Sequence, residues 1–234
     1  MRRRITAISL GIAGLFAITA CAVPGHHHLI APGLSGLGEI APNVWTDDPQ
    51  TAEAQLALLA QGQALAETLF DDVVPGSIVL CTQSPCAKQF NLYVPGLAFE
   101  DRLIAFAPDG VTLPVITHEF VHVGLQRRIG PAPIRSGRIP AWFNEGLAVW
   151  VSPDPRYIRP ASEPQALWVT AAQTPKDWKA MAGPDSFAAL YGAAGRMVEA
   201  IAEDIGRDGL LALVDAVASG AAFDAELARL RGDT

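Results

Sequence analysis

Residues 115–125, VITHEFVHVGL, constrain this chain more than any other stretch. They set two histidines four residues apart inside an apolar run. On an α-helix, residues four apart lie one above the other on a single face. His118 and His122 can therefore offer imidazole nitrogens to one metal ion, as in a zinc site. Glu119 is turned about 100° from His118. It can stand beside a water at the metal without being a ligand, which is where a general base is needed. The plainer alternative is a pair of hydrogen-bonded histidines on an amphipathic helix. The helix itself is well marked, with Pro114 near its start, Arg127 and Arg128 in its last turn and Gly130 as its stop.

A catalytic zinc takes three protein ligands and keeps one position open. The extended three-histidine pattern needs a glycine where Leu125 stands and a histidine where Arg128 stands, so it is excluded. No histidine follows His122, and a downstream third ligand must then be a carboxylate. The stretch PAWFNEGLAVW (140–150) supplies Glu145 on a second helix that opens at Pro140. A glutamate among Trp142, Phe143, Leu147 and Val149 is costly to bury unless it is paired or coordinated. Its alternative is a solvated acid on the exposed face or in the first turn.

HEFVH followed by WFNEGLA resembles the gluzincin metallopeptidases, closest to the membrane-alanyl-aminopeptidase type and its small peptidase MA-like relatives. Residues 114–150 carry the resemblance. It implies zinc held by His118, His122 and Glu145, with Glu119 as the base, and a peptide or protein substrate. Family members usually place an oxyanion donor on a helix after the third ligand, and Tyr191 in SFAALYGAAGRMVEAI resembles it. The glycine spacing differs there, since Gly192 and Gly195 both follow the tyrosine, and a core tyrosine fits the same position. Tyr157, in a proline-rich loop, is the other tyrosine beyond Glu145. The G-x-M-E-N segment by which the aminopeptidases read a free amino end has no match; the nearest stretch is GLAFED (96–101). Exopeptidase action is therefore not implied. LIAFAP is read as the edge strand that pairs with an extended substrate.

The surrounding order is helix, small sheet, then helices, which is an α+β layout. Asp48 and Pro49 open the first helix. Three strand-like pieces follow: SIVLCT (77–82), FNLYVP (90–95) and RLIAFAP (102–108). Beyond Glu145, helices are expected at 164–173, 175–182, 185–205, 207–219 and 222–231. The resemblance makes this a gluzincin-like zincin domain, with a small N-terminal mixed sheet carrying the active-site helix and a mostly helical C-terminal part.

The N-terminus has the layout of a signal peptide at 1–20: Arg2, Arg3 and Arg4, then an apolar run. Ile18-Thr19-Ala20-Cys21 resembles a bacterial lipobox, which implies lipidation at Cys21 and tethering to an envelope membrane, facing the periplasm in a Gram-negative cell. Residues 21–45, rich in Gly and Pro and containing three adjacent histidines at 26–28, read as a flexible tether. The catalytic domain then spans 46–234. Cys81 and Cys86 flank TQSP; in an exported chain a local disulfide is expected, with two free thiols as the alternative. The net charge is −7, and the leader holds three arginines and no acid, so the remainder is more acidic still. That argues against a nucleic-acid partner. The competing functional class is a non-catalytic envelope lipoprotein that uses a peptidase-like domain for binding or scaffolding. An amidase acting on cell-wall peptides shares the site and differs in the groove. The sequence carries no signal for an oligomeric state.

Overall fold

The computed structural model describes residues 32–157 and 164–233. The expected leader, the expected lipidation site Cys21 and the histidines at 26–28 lie outside the described residues. Five short strands form one mixed sheet: β1 (Gly38–Ala41), β2 (Val44–Thr46), β3 (Ser77–Leu80), β4 (Gly96–Phe99) and β5 (Leu103–Phe106). Their spatial order is β1-β2-β3-β5-β4. The inner strands β2, β3 and β5 are parallel, while β1 and β4 run antiparallel at the two edges. SIVL and LIAF are continuous apolar runs because both sheet faces are covered there. Ile78, Leu80, Ile104 and Phe106 enter the main core, and Val79, Leu103 and Ala105 enter a smaller core on the opposite face. That division follows the two-residue period of a strand.

Helices α1 (Ala52–Ala66) and α3 (Leu113–Ile129) pack on the main-core face, and α2 (Ser84–Gln89) packs on the other. Next come α4 (Ala132–Arg135), α5 (Ala141–Val151), α6 (Pro175–Met181), α7 (Phe187–Ala218) and α8 (Phe223–Arg231). A 3-10 segment, Pro164–Ala171, precedes α6. Gly206 breaks α7 at φ 69°, ψ 177°. A glycine takes that conformation at little cost, so the long element is two helices meeting where the sequence places a boundary. The architecture is α+β, as expected from the element order. Among the described residues, no helix is long and apolar enough to cross a membrane.

Three expectations are corrected. The tether assigned to 21–45 does not reach 45: β1 and the start of β2 lie within it, and Leu37 is buried in the smaller core. Strands this short show too little alternation to separate them from a Gly/Pro-rich linker. FNLYVP is not a strand. Phe90 and Leu92 are buried while Tyr93 and Val94 are exposed, and Asn91 is left-handed at φ 53°. They anchor the loop after α2, and the alternation mimics a strand. LIAFAP is not an edge, because β5 lies between β3 and β4. The edge is GLAF, strand β4.

Candidate metal centre

Helix α3 is buried along most of its length, so its imidazoles emerge from a fixed support. It packs against α1, β4 and α5. Helix α5 starts at Pro140, and its first N–H groups are satisfied from outside. Ala141 N donates to Gln173 O at 2.9 Å and Trp142 N to Ala172 O at 3.0 Å. The helix is then pressed onto α7. A Cβ on Gly146 would lie 2.5 Å from Ala194 O, and one on Gly195 would lie 2.6 Å from Val149 Cγ1. Only residues without a side chain permit this approach.

These two helices bring His118, His122 and Glu145 together. His118 Nε2 and His122 Nε2 are 3.1 Å apart, and Glu145 Oε2 lies 3.3 Å from the first and 3.5 Å from the second. Zinc bonds of about 2.0–2.1 Å at tetrahedral angles place ligand atoms roughly 3.3 Å from one another. The triangle therefore matches three corners of a tetrahedral site and leaves the fourth facing the cavity. The group is chemically suited to a metal ion: two imidazoles and one carboxylate, largely shielded from water.

The charges support this. Burial draws the His122 pKa down, but the Glu145 carboxylate beside it, with smaller help from Glu119 and Asn144, raises it to about 9. Burial pushes Glu145 up, and the two histidines outweigh that and hold its carboxyl far below the usual range. Glu145 is thus a carboxylate that demands a cation, and proton and metal compete for the same place.

Sequence reasoning missed the residue that orients His122. Asn144 Oδ1 is 3.2 Å from His122 Nδ1. A neutral imidazole donating Nδ1–H to that oxygen turns the Nε2 lone pair toward the metal position. Three consecutive residues of α5 thus have separate tasks. Asn144 holds His122, Glu145 joins the group that could hold a metal ion, and Gly146 lets the helix dock. The signal was present as an amide beside the acid in an otherwise apolar helix.

Glu119 is not a corner of that triangle. It is 7% exposed and points under β4, where Ala98 N–H donates to its Oε2 at 2.8 Å. Gly96 makes room for it, because a Cβ there would lie 2.7 Å from Glu119 Oε1. β4 therefore turns part of its free edge toward the general-base candidate. GLAFED departs from the aminopeptidase segment in its letters, and its Ala98 N–H holds Glu119.

Tyr191 is brought to the site. Its ring lies 5.9 Å from that of His118, and its hydroxyl accepts a hydrogen bond from Trp178 Nε1 at 3.2 Å. Trp178 is placed by a capping box between Thr174 and Asp177 that starts α6. Tyr157 stacks on Tyr191 with ring centres 5.2 Å apart. Burial, reinforced by the Glu145 charge, pushes the Tyr191 hydroxyl well above the usual tyrosine range. Burial also pushes Tyr157 up to about 12, against the pull of Arg156. Both are protonated donors at neutral pH.

A cavity of about 340 Å³ joins these groups. β4, α3, α5, α7 and the turn at 154–157 wall it, and both tyrosines line it. Cys81 and Cys86 are joined in a disulfide on the far face of the sheet, away from this cavity. No family model matches the chain, and no curated protein or solved structure shows significant similarity to it.

Proposed function

We propose that this chain is a zinc-dependent metallopeptidase of the gluzincin, peptidase MA-like kind, exported and held at an envelope membrane through Cys21. One observation carries the reading: His118, His122 and Glu145 converge at tetrahedral spacing, with a buried glutamate, Glu119, beside them under an edge strand. A structural metal site has no use for that second acid, which favours the enzyme over the non-catalytic lipoprotein.

Zinc, when bound, supplies a Lewis acid that lowers the pKa of water to roughly 7 and polarises a carbonyl. Glu119 accepts the proton of the attacking water and returns it to the leaving amine. Tyr191, whose oxygen accepts from Trp178, keeps its own O–H to donate to the developing oxyanion. β4 offers backbone groups to an extended peptide, so the substrate wall is built from main chain. His122 is held in the ligating tautomer by Asn144.

The test is metal content and peptide-library cleavage, measured together on the protein lacking its first 21 residues. The expected result is about one zinc per chain, the stoichiometry of a single three-ligand site. Glu119→Gln is expected to keep the metal and lose hydrolysis. A parent without zinc, or a Glu119→Gln variant as active as the parent, would sink the reading. For the anchor, Cys21→Ser should release the full chain from membranes; continued retention would refute lipidation there.

A further inference from the structure

The turn at 154–157 is not used by the chemistry above. Its Asp154 is 4% exposed. That carboxylate accepts from Arg156 N–H at 2.9 Å, from Arg156 Nε at 3.0 Å (Oδ1) and 2.9 Å (Oδ2), and from Nη2 at 2.5 Å. A buried carboxylate is costly without a partner, so Arg156 is pinned to this turn. The turn is seated on α7, where a Cβ on Gly192 would lie 2.9 Å from Tyr157 O.

Arg156 is not buried with its partner. Its side chain is 48% exposed and lines the same cavity as His118 and Glu119. Asp154 engages Nε and Nη2, and Nη1 lies outside that pairing. The guanidinium carbon is 5.2 Å from the Tyr157 ring centre, and Tyr157 leads through Tyr191 to His118. Among the described residues that line the cavity, Arg156 is the one Lys or Arg; its charged neighbours are Glu119, Glu145 and Asp154. Apart from the histidines of the metal group, this guanidinium is the cleft's cationic side chain, presented as a planar donor on the turn.

Resting on the peptidase reading, the geometry points to Arg156 as a specificity-determining residue that binds a carboxylate of the substrate, on an acidic side chain or at the chain end. A guanidinium with a spare donor edge is suited to a carboxylate, and its pre-ordering by Asp154 lowers the cost of binding one. An extended peptide advances about 3.3–3.6 Å per residue. The ring ladder from His118 to Arg156 thus sets the carboxylate a few residues from the bond that breaks. A purely structural Arg156 would hold the turn and affect all ligands alike.

The experiment measures binding and cleavage separately. Zinc-loaded Glu119→Gln protein is titrated by calorimetry with matched pentapeptides. One set is amidated and carries Glu or Gln at each position in turn; the other carries a free or an amidated chain end. The expected result is tighter binding of one carboxylate form, and a drop of about tenfold in that preference when Arg156→Gln is added. The matched amide should bind unchanged. The arm that responds identifies the source of the carboxylate. Because Arg156→Gln leaves Asp154 unpaired, Asp154→Asn with Arg156→Gln is measured beside it, and the same loss of preference is expected. An unchanged preference in the folded double variant, or equal weakening of both peptides, would overturn the assignment, as would binding of neither form to the parent. Cleavage by the zinc-loaded parent is scored apart. A parent that binds carboxylate peptides selectively and cuts none refutes the peptidase reading and leaves the role of Arg156 standing.

Discussion

The two walls of the cleft are built by different means. The metal wall consists of two helices, α3 and α5, locked into the main core, and its functional groups project at helical spacing. The opposite wall is an edge strand, a four-residue turn and two rings from α7, Phe187 and Tyr191, gathered from distant parts of the chain. The metal wall is fixed by local sequence plus one helix crossing. The other wall is fixed by contacts that no local pattern encodes: Ala98 on Glu119, Tyr157 on Tyr191, Asp154 on Arg156. On the proposed function, the first wall would set the chemistry and the second the geometry and selection. Substitutions should divide accordingly, into those that move metal affinity and those that move turnover at constant metal.

The largest effect belongs to the metal wall. Glu145→Ala removes the only carboxylate of the triangle, and metal affinity should fall by more than the roughly 10–100-fold typical of outer residues. Equilibrium dialysis with zinc measures it. A variant that still binds stoichiometric zinc at parental affinity would show that Glu145 is not a ligand. On the other wall, Tyr191→Phe should lower kcat by roughly 10²–10³-fold, the usual cost of an oxyanion donor, with zinc content unchanged. Tyr157→Phe is its control. If Tyr157→Phe shows the larger loss, the donor is the turn tyrosine and Tyr191 is its packing partner.

Asn144→Ala tests whether the metal wall needs its orienting amide. Zinc affinity should fall by roughly 10–100-fold while the fold persists. Unchanged affinity would mean that packing alone holds the His122 ring.

What was legible in the sequence follows the same division. HEFVH and WFNEGLA identify the two helices because helical period and proline starts are local signals, and the structure brings His118, His122 and Glu145 together. Asp48 also accepts from Gln50 N at 3.3 Å, though it caps a 3-10 turn before α1 rather than α1 itself. The sheet was read less well. β1 and β2 have four and three residues, fewer than periodicity needs, and they sat unrecognised in and at the end of an assigned tether. β5 was taken for an edge because strand order along the chain does not give strand order in space; β4 follows α2 yet pairs outside β5. Asp154 and Arg156 read as loop residues because the pairing rests on the burial of Asp154, which a proline-rich segment does not advertise.

The smallest predicted effect is the sharpest test of the strand's part. Gly96→Ala adds one methyl group to β4. Its carbon would lie 2.7 Å from Glu119 Oε1, 2.8 Å from Glu119 Cγ and 2.8 Å from Val115 Cγ1. Val115 is a short β-branched side chain, whereas Glu119 Oε1 is the far end of a flexible one, so Glu119 is the neighbour that yields. Any shift of that carboxylate also strains its bond to Ala98 N–H. Small misplacements of a catalytic group are costly to rate, and about a tenfold loss in kcat is expected here. The three atoms nearest the new methyl belong to Glu119 and Val115, not to His118, His122 or Glu145, so zinc affinity should stay at the parental value. A loss of zinc would mean that the strand and the metal wall are one unit. Unchanged kcat would mean that Glu119 finds an equally effective position, and that Gly96 serves the strand's approach to α3 rather than the base.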